Sequence, residues 1–99
     1  MKHEQAKHFC DITDELYELC DKKSKDYSDD MEKGTDNISV LGLRGIYVRM
    51  TDKMARLHKF IWLGKDNVVE NDGLEDALKD LANYCIIALM VKRNLWKNC

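Results

Sequence analysis

Apolar residues recur every three or four positions along three stretches of the chain, which is the spacing of an amphipathic helix. The first stretch runs from about Glu4 to Asp26, and its other side is charged. The period breaks between Tyr27 and Asn37, where serine, aspartate and glycine predict a polar loop. The apolar stripe of this first predicted helix consists of Phe9, Ile12, Leu16 and Leu19.

A second helix is predicted from Gly42 or Leu43 to Leu63, and Gly64 is placed where a glycine commonly stops a helix. The stretch after Gly64 predicts a short turn, so we expect the second and third helices to pack antiparallel. The apolar stripe of the second helix consists of Ile46, Met50, Met54, Leu57 and Ile61.

A third helix is predicted to begin at Asn71 or Asp72 and to continue to Trp96. Glu75 follows Asp72 by three residues, which is the spacing of a capping box. No alternating strand pattern of useful length occurs, so the sequence predicts an all-α fold, a compact bundle of three main helices. The predicted core face of the third helix consists of Leu74, Leu78, Leu81, Cys85 and Ala88.

The segment Tyr84–Val91 is apolar around the whole circumference of the third predicted helix. Such a helix must be covered on all sides, and a short chain has few elements with which to cover it. Two explanations remain open. Homo-oligomerisation completes the bundle, or the first helix and the Ile38–Leu41 segment wrap around the third. We favour the homo-oligomer.

Length, charge and hydropathy argue against several classes of function. The 99 residues suit a single helical domain spanning residues 1–99. Formal net charge is −2. This argues against binding to duplex nucleic acid, because proteins that bind a duplex usually have a strongly basic face. The longest apolar run, Cys85–Val91, is too short to cross a membrane, and the N-terminus has no signal-peptide core. We therefore expect a cytoplasmic protein.

The four cysteines show no CxxC pair, and the three histidines show no metal-ligand spacing. In a chain without an export signal, such cysteines are typical of buried or free thiols. We expect no zinc site.

Two polar rows lie beside the apolar stripes. The first row occupies adjoining turns of one face of the second helix and consists of Arg49, Asp52, Lys53 and Arg56. Antiparallel packing brings this row towards a second row on the third helix. One interpretation is a structural salt-bridge network. The other is a site for a phosphorylated ligand, since two arginines on one face suit bidentate phosphate recognition. The row on the third helix consists of Asp76, Asp80, Asn83 and Tyr84.

Further candidates lie at the helix ends. Arg44 is close to the start of the second helix, an end that already favours anions. Lys25 and Asp26 close the first helix, and Tyr27 either stacks on a base or packs the loop against the core. The candidate ligand-binding residues are therefore Lys25, Asp26, Tyr27, Arg44, Arg49, Asp52, Lys53, Arg56, Asp76, Asp80, Asn83 and Tyr84.

Carboxylates also suggest a metal. Glu15 and Glu18 form an ExxE pair, and Asp76 and Asp80 form a second acidic pair. Helix-borne carboxylates of this kind are candidate ligands for Mg²⁺, which prefers oxygen ligands and substrate phosphates. The alternative for the first pair is an acidic, solvated helix face.

Three sequence elements resemble the phage and bacterial nucleotide modification associated domain, first type. They are Lys25-Asp26-Tyr27, the "DK..RL" segment from Asp52 to Leu57, and the "EDALKDLANY" segment from Glu75 to Tyr84. The resemblance spans roughly residues 23–91 and implies a nucleotide ligand in a bacterial host cell. The family is also distantly similar to the MazG-like all-α NTP pyrophosphohydrolases, which are magnesium-dependent and oligomeric. Their usual ExxD motif is replaced here by Glu75-Asp76 and Asp80.

Three hypotheses about function follow, of which the third is a helical interaction module. The first is a non-catalytic protein that binds or sequesters a phosphorylated nucleotide, such as a cyclic-nucleotide defence signal, so that it acts as an anti-defence sponge. The second is a Mg²⁺-dependent nucleotide pyrophosphohydrolase or a nucleotide-modification accessory protein. We favour binding over catalysis.

Overall fold

The computed structural model describes residues 1–32, 41–64 and 72–96, and side chains within residues 1–23, 41–64 and 73–96. Three α-helices are described within these ranges: α1 (His3–Glu32), α2 (Leu43–Leu57) and α3 (Asp72–Lys92). A π-helical turn, His58–Trp62, directly continues α2. No strand occurs within the described ranges, and the predicted all-α class is confirmed. The chain divides into two compact units, residues 1–36 and 37–99.

The first unit contains α1, which ends six residues later than the sequence predicts. The prediction of a loop from Tyr27 is wrong as far as Glu32. The physical reason is that no glycine or proline lies in this stretch, and serine and aspartate lower helix propensity only weakly. The rest of the predicted loop, residues 33–37, lies outside the described residues.

The predicted stripe of α1 is only partly buried. Leu16 is buried and Leu19 is half-buried, whereas Phe9 and Ile12 are exposed. The prediction that all four face a core is therefore wrong for the first two. Spacing alone marks one side of a helix as apolar, but burial needs a second element along the whole length of that side.

In the second unit, α2 and α3 pack antiparallel, as predicted. Phe60 in the middle of the π-helical turn contacts the position of Gly73 near the start of α3. Lys53, seven residues before Phe60, contacts Asp80, which lies seven residues after Gly73. Two contacts that move in opposite directions along the chain establish the antiparallel register.

The ends of α2 depend on glycine conformation. Gly42 and Gly64 both have positive φ angles, 61° and 63°, which disfavour most other residues. Between them the helix widens into the π-helical turn, where the backbone N–H of Leu63 donates to the carbonyl of His58 at 3.0 Å. The prediction that Gly64 stops this helix is confirmed.

The end of α3 is a Schellman motif. The backbone N–H of Leu95 donates to the carbonyl of Met90 at 2.8 Å, and that of Asn94 donates to Val91 at 3.1 Å. Asn94 takes the left-handed conformation that the motif needs, with φ of 59°. The helix therefore ends at Lys92, and the predicted continuation to Trp96 is wrong.

Among the described residues of the second unit, the buried apolar side chains are Ile46 and Leu57 on α2 and Ala77 and Ile87 on α3. Met54 and Ile61, which belong to the predicted stripe of α2, are exposed.

The predicted core face of α3 is wrong. Leu78 and Cys85 are exposed, and the other predicted members are only half-buried. The helix instead turns Ala77, Asp80 and Ile87 inwards. Because α3 carries apolar residues on more than one side, periodicity alone does not identify the side that meets α2. In the part of the chain that the structure describes, no helix has the length and apolar character needed to cross a membrane.

Candidate functional site

An ion pair joins the two predicted polar rows. Lys53 Nζ lies 2.9 Å from Asp80 Oδ2, and the two side chains are only 18% and 11% exposed. Each residue occupies the inner face of its helix, where the core would otherwise continue. A charge removed from water in this way is stable only when it is paired. The pair is therefore a defined structural feature and differs from a solvated surface salt bridge.

Asn83 extends the polar cluster by one turn of α3. Its side chain is 6% exposed, and it makes polar interactions. Among the described residues no buried side-chain nitrogen or oxygen lacks a hydrogen-bond partner. We call Lys53, Asp80 and Asn83 the inner polar cluster. It combines a cation, a carboxylate and an amide, which supply donors and acceptors of three different kinds.

Two arginines flank the inner polar cluster on α2. Arg49 lies one turn before Lys53 and is half-buried, whereas Arg56 lies one turn after it and is exposed. The antiparallel register places Arg49 level with Tyr84, which is half-buried, and Arg56 level with Ala77. The three cations thus follow one line of α2, on which Arg49 and Lys53 are half-buried and Arg56 is exposed.

Other predicted site residues lie further away. Asp52 and Asp76 are exposed beside the cluster. Arg44 is nine residues before Lys53, which corresponds to roughly 13 Å along the helix axis. Lys25 and Asp26 lie within α1, as predicted, and Tyr27 also lies within α1 rather than at the start of a loop. The side chains of all three are outside the described part of the structure.

An apolar groove, which sequence reasoning missed, lies beside the N-terminal half of α2. Its volume is about 480 Å³, and Arg44 supplies its charged group. Leu43, Tyr47 and Met50 follow one another at helical spacing, and this was the signal that could have revealed it. The groove is lined by Leu43, Arg44, Ile46, Tyr47, Val48 and Met50 of α2 and by Ala88 of α3.

The predicted magnesium ligands are distributed over both units. Glu15 and Glu18 are exposed on α1, and Asp76 is exposed on α3. Asp80 already bonds to Lys53. The described side chains contain no group of three or more histidine, cysteine, aspartate or glutamate residues placed to hold a metal ion. Asp76 and Asp80 lie one turn apart on α3, as Glu15 and Glu18 do on α1.

The cysteines lie outside the inner polar cluster. Cys10, Cys20 and Cys85 are free thiols, and Cys10 and Cys85 are exposed. Burial of Cys20 in α1 raises the pKa of its thiol, and the neighbouring Asp21 carboxylate raises it further. Cys99 lies outside the described residues.

Comparisons with known proteins identify no relative of this chain. No protein-family model matches it, and no curated protein or solved structure is significantly similar to it. The resemblance to the nucleotide modification associated domain therefore stays a prediction from three sequence elements.

Proposed function

We propose that this chain is a small nucleotide-binding protein that holds a phosphorylated nucleotide beside the inner polar cluster and releases it unchanged. The observation that carries the proposal is that α3 buries polar side chains and exposes large apolar ones. Asp80 and Asn83 are buried, whereas Leu78 and Leu89 on the same helix are exposed at 45% and 50%. Hydrophobic burial alone favours the opposite arrangement, and departures of this kind concentrate at functional sites.

The chemistry of the cluster suits a nucleotide. Arg49, Lys53 and Arg56 present three cations along one line of α2, and guanidinium groups match the geometry of phosphate oxygens. Asp80 is an acceptor for sugar hydroxyls, and the Asn83 amide both donates and accepts, as a base edge requires. Tyr84 offers a ring on which a base can stack.

A purely structural ion pair is the competing interpretation. Buried pairs are often no more stabilising than apolar residues of similar volume, so stability alone is weak grounds for placing Lys53 and Asp80 inside the bundle. Arg49 and Arg56 lie on the same line of α2 as Lys53, which a single structural ion pair does not require. Both features are consistent with an anionic ligand.

The proposal is tested by ligand recovery and binding. The full chain, purified from bacterial cytoplasm, is heat-denatured, and the supernatant is analysed by mass spectrometry for retained nucleotides. Calorimetric titration with nucleoside phosphates and cyclic dinucleotides then measures affinity. We expect Arg56→Ala to weaken binding at least about tenfold, since a charged hydrogen bond contributes roughly 1.5–3 kcal/mol. Arg93→Ala, at an exposed arginine beyond α3, is the matched control.

Retention or binding of no nucleotide would contradict the proposal. Equal losses in Arg56→Ala and Arg93→Ala would show that binding reflects general charge rather than the cluster.

A Mg²⁺-dependent nucleotide hydrolase is the second candidate, and Asp76 and Asp80 on one face of α3 favour it. Incubation with a nucleotide panel and Mg²⁺, followed by chromatography, separates the two. A sequestering protein returns the nucleotide intact, as a sponge for a defence signal would, whereas a hydrolase yields products.

We also propose that the functional form is a homo-oligomer in the bacterial cytoplasm. Several large apolar side chains of the second unit are exposed in the single chain. They include Tyr47 in the groove, Ile61 and Trp62 in the π-helical turn, and Ile86 and Leu89 on α3. Covering such surface is a common reason for self-association.

A further inference from the structure

The outer face of α3 carries a second apolar line. Leu78, Ala82, Cys85 and Leu89 follow one another at intervals of four, three and four residues, which is the a/d spacing of a coiled coil. Leu78 and Leu89 are about half exposed, Cys85 is exposed and Ala82 is half-buried. We call these four residues the outer seam.

Charged residues close the outer seam at both ends. Glu75 lies three residues before Leu78, and Lys92 lies three residues after Leu89. Both are exposed and continue the same a/d spacing. The order is therefore the same from either end: a charge, a leucine, two small residues, a leucine and a charge. The two charges have opposite signs.

We propose that the outer seam is a homodimer interface in which α3 packs antiparallel against α3 of a second copy. A two-fold axis between Ala82 and Cys85 places Leu78 against the other copy's Leu89. It also places Glu75 against the other copy's Lys92. A parallel pair would instead bring two glutamates together at one end and two lysines at the other, which is unfavourable.

Self-complementarity identifies the partner as a second copy. An isologous interface needs one surface that matches itself after a two-fold rotation, and the outer seam has this property in both shape and charge. Ala82 and Cys85 at its centre are small enough to let the two helices approach closely. Ile86, which is exposed beside the outer seam, adds apolar surface at its edge.

The outer seam lies on the opposite side of α3 from Asp80, because nine residues separate Asp80 from Leu89 and each residue turns the helix by 100°. The dimer therefore leaves the inner polar cluster accessible. The outer seam is thus the interface of the proposed homo-oligomer, and dimerisation through it does not depend on a nucleotide. An affinity measurement therefore tests nucleotide binding alone, and an assembly measurement tests the interface alone.

Sedimentation equilibrium of the full chain tests assembly. We expect a dimer that Leu89→Glu converts to monomer with its helical circular dichroism unchanged. Val48→Glu is the matched control, because Val48 is an apolar residue on α2 whose exposed fraction, 59%, is close to the 50% of Leu89. A wild-type chain that is monomeric at every concentration overturns the proposal. So does a Val48→Glu variant that dissociates as readily as Leu89→Glu.

A charge exchange tests the pairing without introducing charge into the apolar part of the outer seam. Glu75→Lys and Lys92→Glu should each raise the dimer dissociation constant by about tenfold, because each places like charges opposite one another at both ends. The double variant should restore the wild-type value. Additive losses in the double variant would overturn the pairing.

Cross-linking tests the orientation. In a chain whose native cysteines are replaced by serine or, at Cys85, by alanine, Glu75→Cys and Lys92→Cys are introduced separately. An antiparallel dimer cross-links only when the two variants are mixed, whereas cross-linking of each variant with itself would overturn the proposal. A monomeric wild type with Cys85 protected from thiol reagents would show that another segment of its own chain covers the outer seam, and would also overturn it.

Discussion

Lys53 Nζ lies 2.9 Å from Asp80 Oδ2 at the centre of the contact between α2 and α3. Apolar residues flank this pair on both sides, since the register places Ile46 level with Ile87 and the helices meet again at Leu57. The middle of the helical hairpin is thus polar, and its two ends are apolar. This arrangement sets the stability of the second unit and the chemistry it can offer.

Removal of one partner of the pair should be costly. We expect Asp80→Ala to lower the free energy of unfolding by about 3 kcal/mol, because it leaves the Lys53 ammonium without its partner in a mostly buried position. The double variant Lys53→Met/Asp80→Leu should recover most of that loss. Urea denaturation of the single and double variants measures both values. A loss below about 0.5 kcal/mol in Asp80→Ala would identify an ordinary surface ion pair.

Ile87 is the largest apolar side chain that α3 buries. We expect Ile87→Ala to lower the free energy of unfolding by roughly 2–5 kcal/mol through lost transfer energy and a residual cavity. Ile61→Ala removes the same atoms from an exposed position and should change stability by less than about 0.5 kcal/mol. Thermal and urea unfolding compare the two. Equal effects would contradict the orientation of α3.

Gly73 lies against the ring of Phe60, where an added Cβ would be 3.2 Å from Cζ. We expect Gly73→Val to lower the free energy of unfolding by about 1–3 kcal/mol, because the larger side chain overpacks this contact. In a Phe60→Ala background the same substitution should cost less. A double-mutant cycle measures the difference, and strict additivity would show that the two residues do not interact.

Asn94 has a φ of 59° at the Schellman motif that ends α3. Asn94→Gly should leave stability unchanged or raise it slightly, since glycine takes this conformation without strain. Asn94→Val should lower the free energy of unfolding by about 1–2 kcal/mol, because its Cβ is crowded in the left-handed region. Chemical denaturation of both variants tests the prediction. Greater stability of the valine variant would refute it.

The raised pKa of Cys20 predicts slow thiol chemistry. Burial disfavours the thiolate, so a variant retaining only Cys20 should react more slowly with a disulfide reagent at mildly alkaline pH when folded than in urea. The pKa is higher in the folded state, and the associated stability is therefore fully present below the unfolded thiol pKa. It is lost as pH rises through the folded value. Equal rates in both states would exclude the raised pKa.

The helices and their class follow from local properties of the chain. The spacing of apolar residues predicted α2, and Gly64 marked its end because the left-handed backbone there suits glycine. The end of α1 was predicted too early, since polarity between Tyr27 and Glu32 resembled a loop while nothing in that stretch excludes a helix. Asn94 took the role at the end of α3 that glycine usually has, and the prediction overshot to Trp96.

Part of the candidate site was also predicted from local spacing along the helices. Lys53 and Asp80 belong to rows defined by helical spacing, and a short connection between antiparallel helices brings such rows together. Sequence did not reveal which members meet, because the pairing depends on the register of α2 against α3. The apolar groove was missed for a related reason, since it needs Ala88 of α3 beside Ile46 of α2.

The sequence by itself determined that the chain is helical, where α2 and α3 lie, and which polar residues share a helix face. These properties arise from backbone propensity and from spacing within a few turns. Only the tertiary structure decided which side of α3 is buried. The helix offers Leu78, Cys85 and Leu89 on one side and Ala77, Asp80 and Ile87 on the other. The second side lies against α2, where Asp80 pairs with Lys53 and Ala77 and Ile87 are buried, and these contacts exist only when the partner helix is in place.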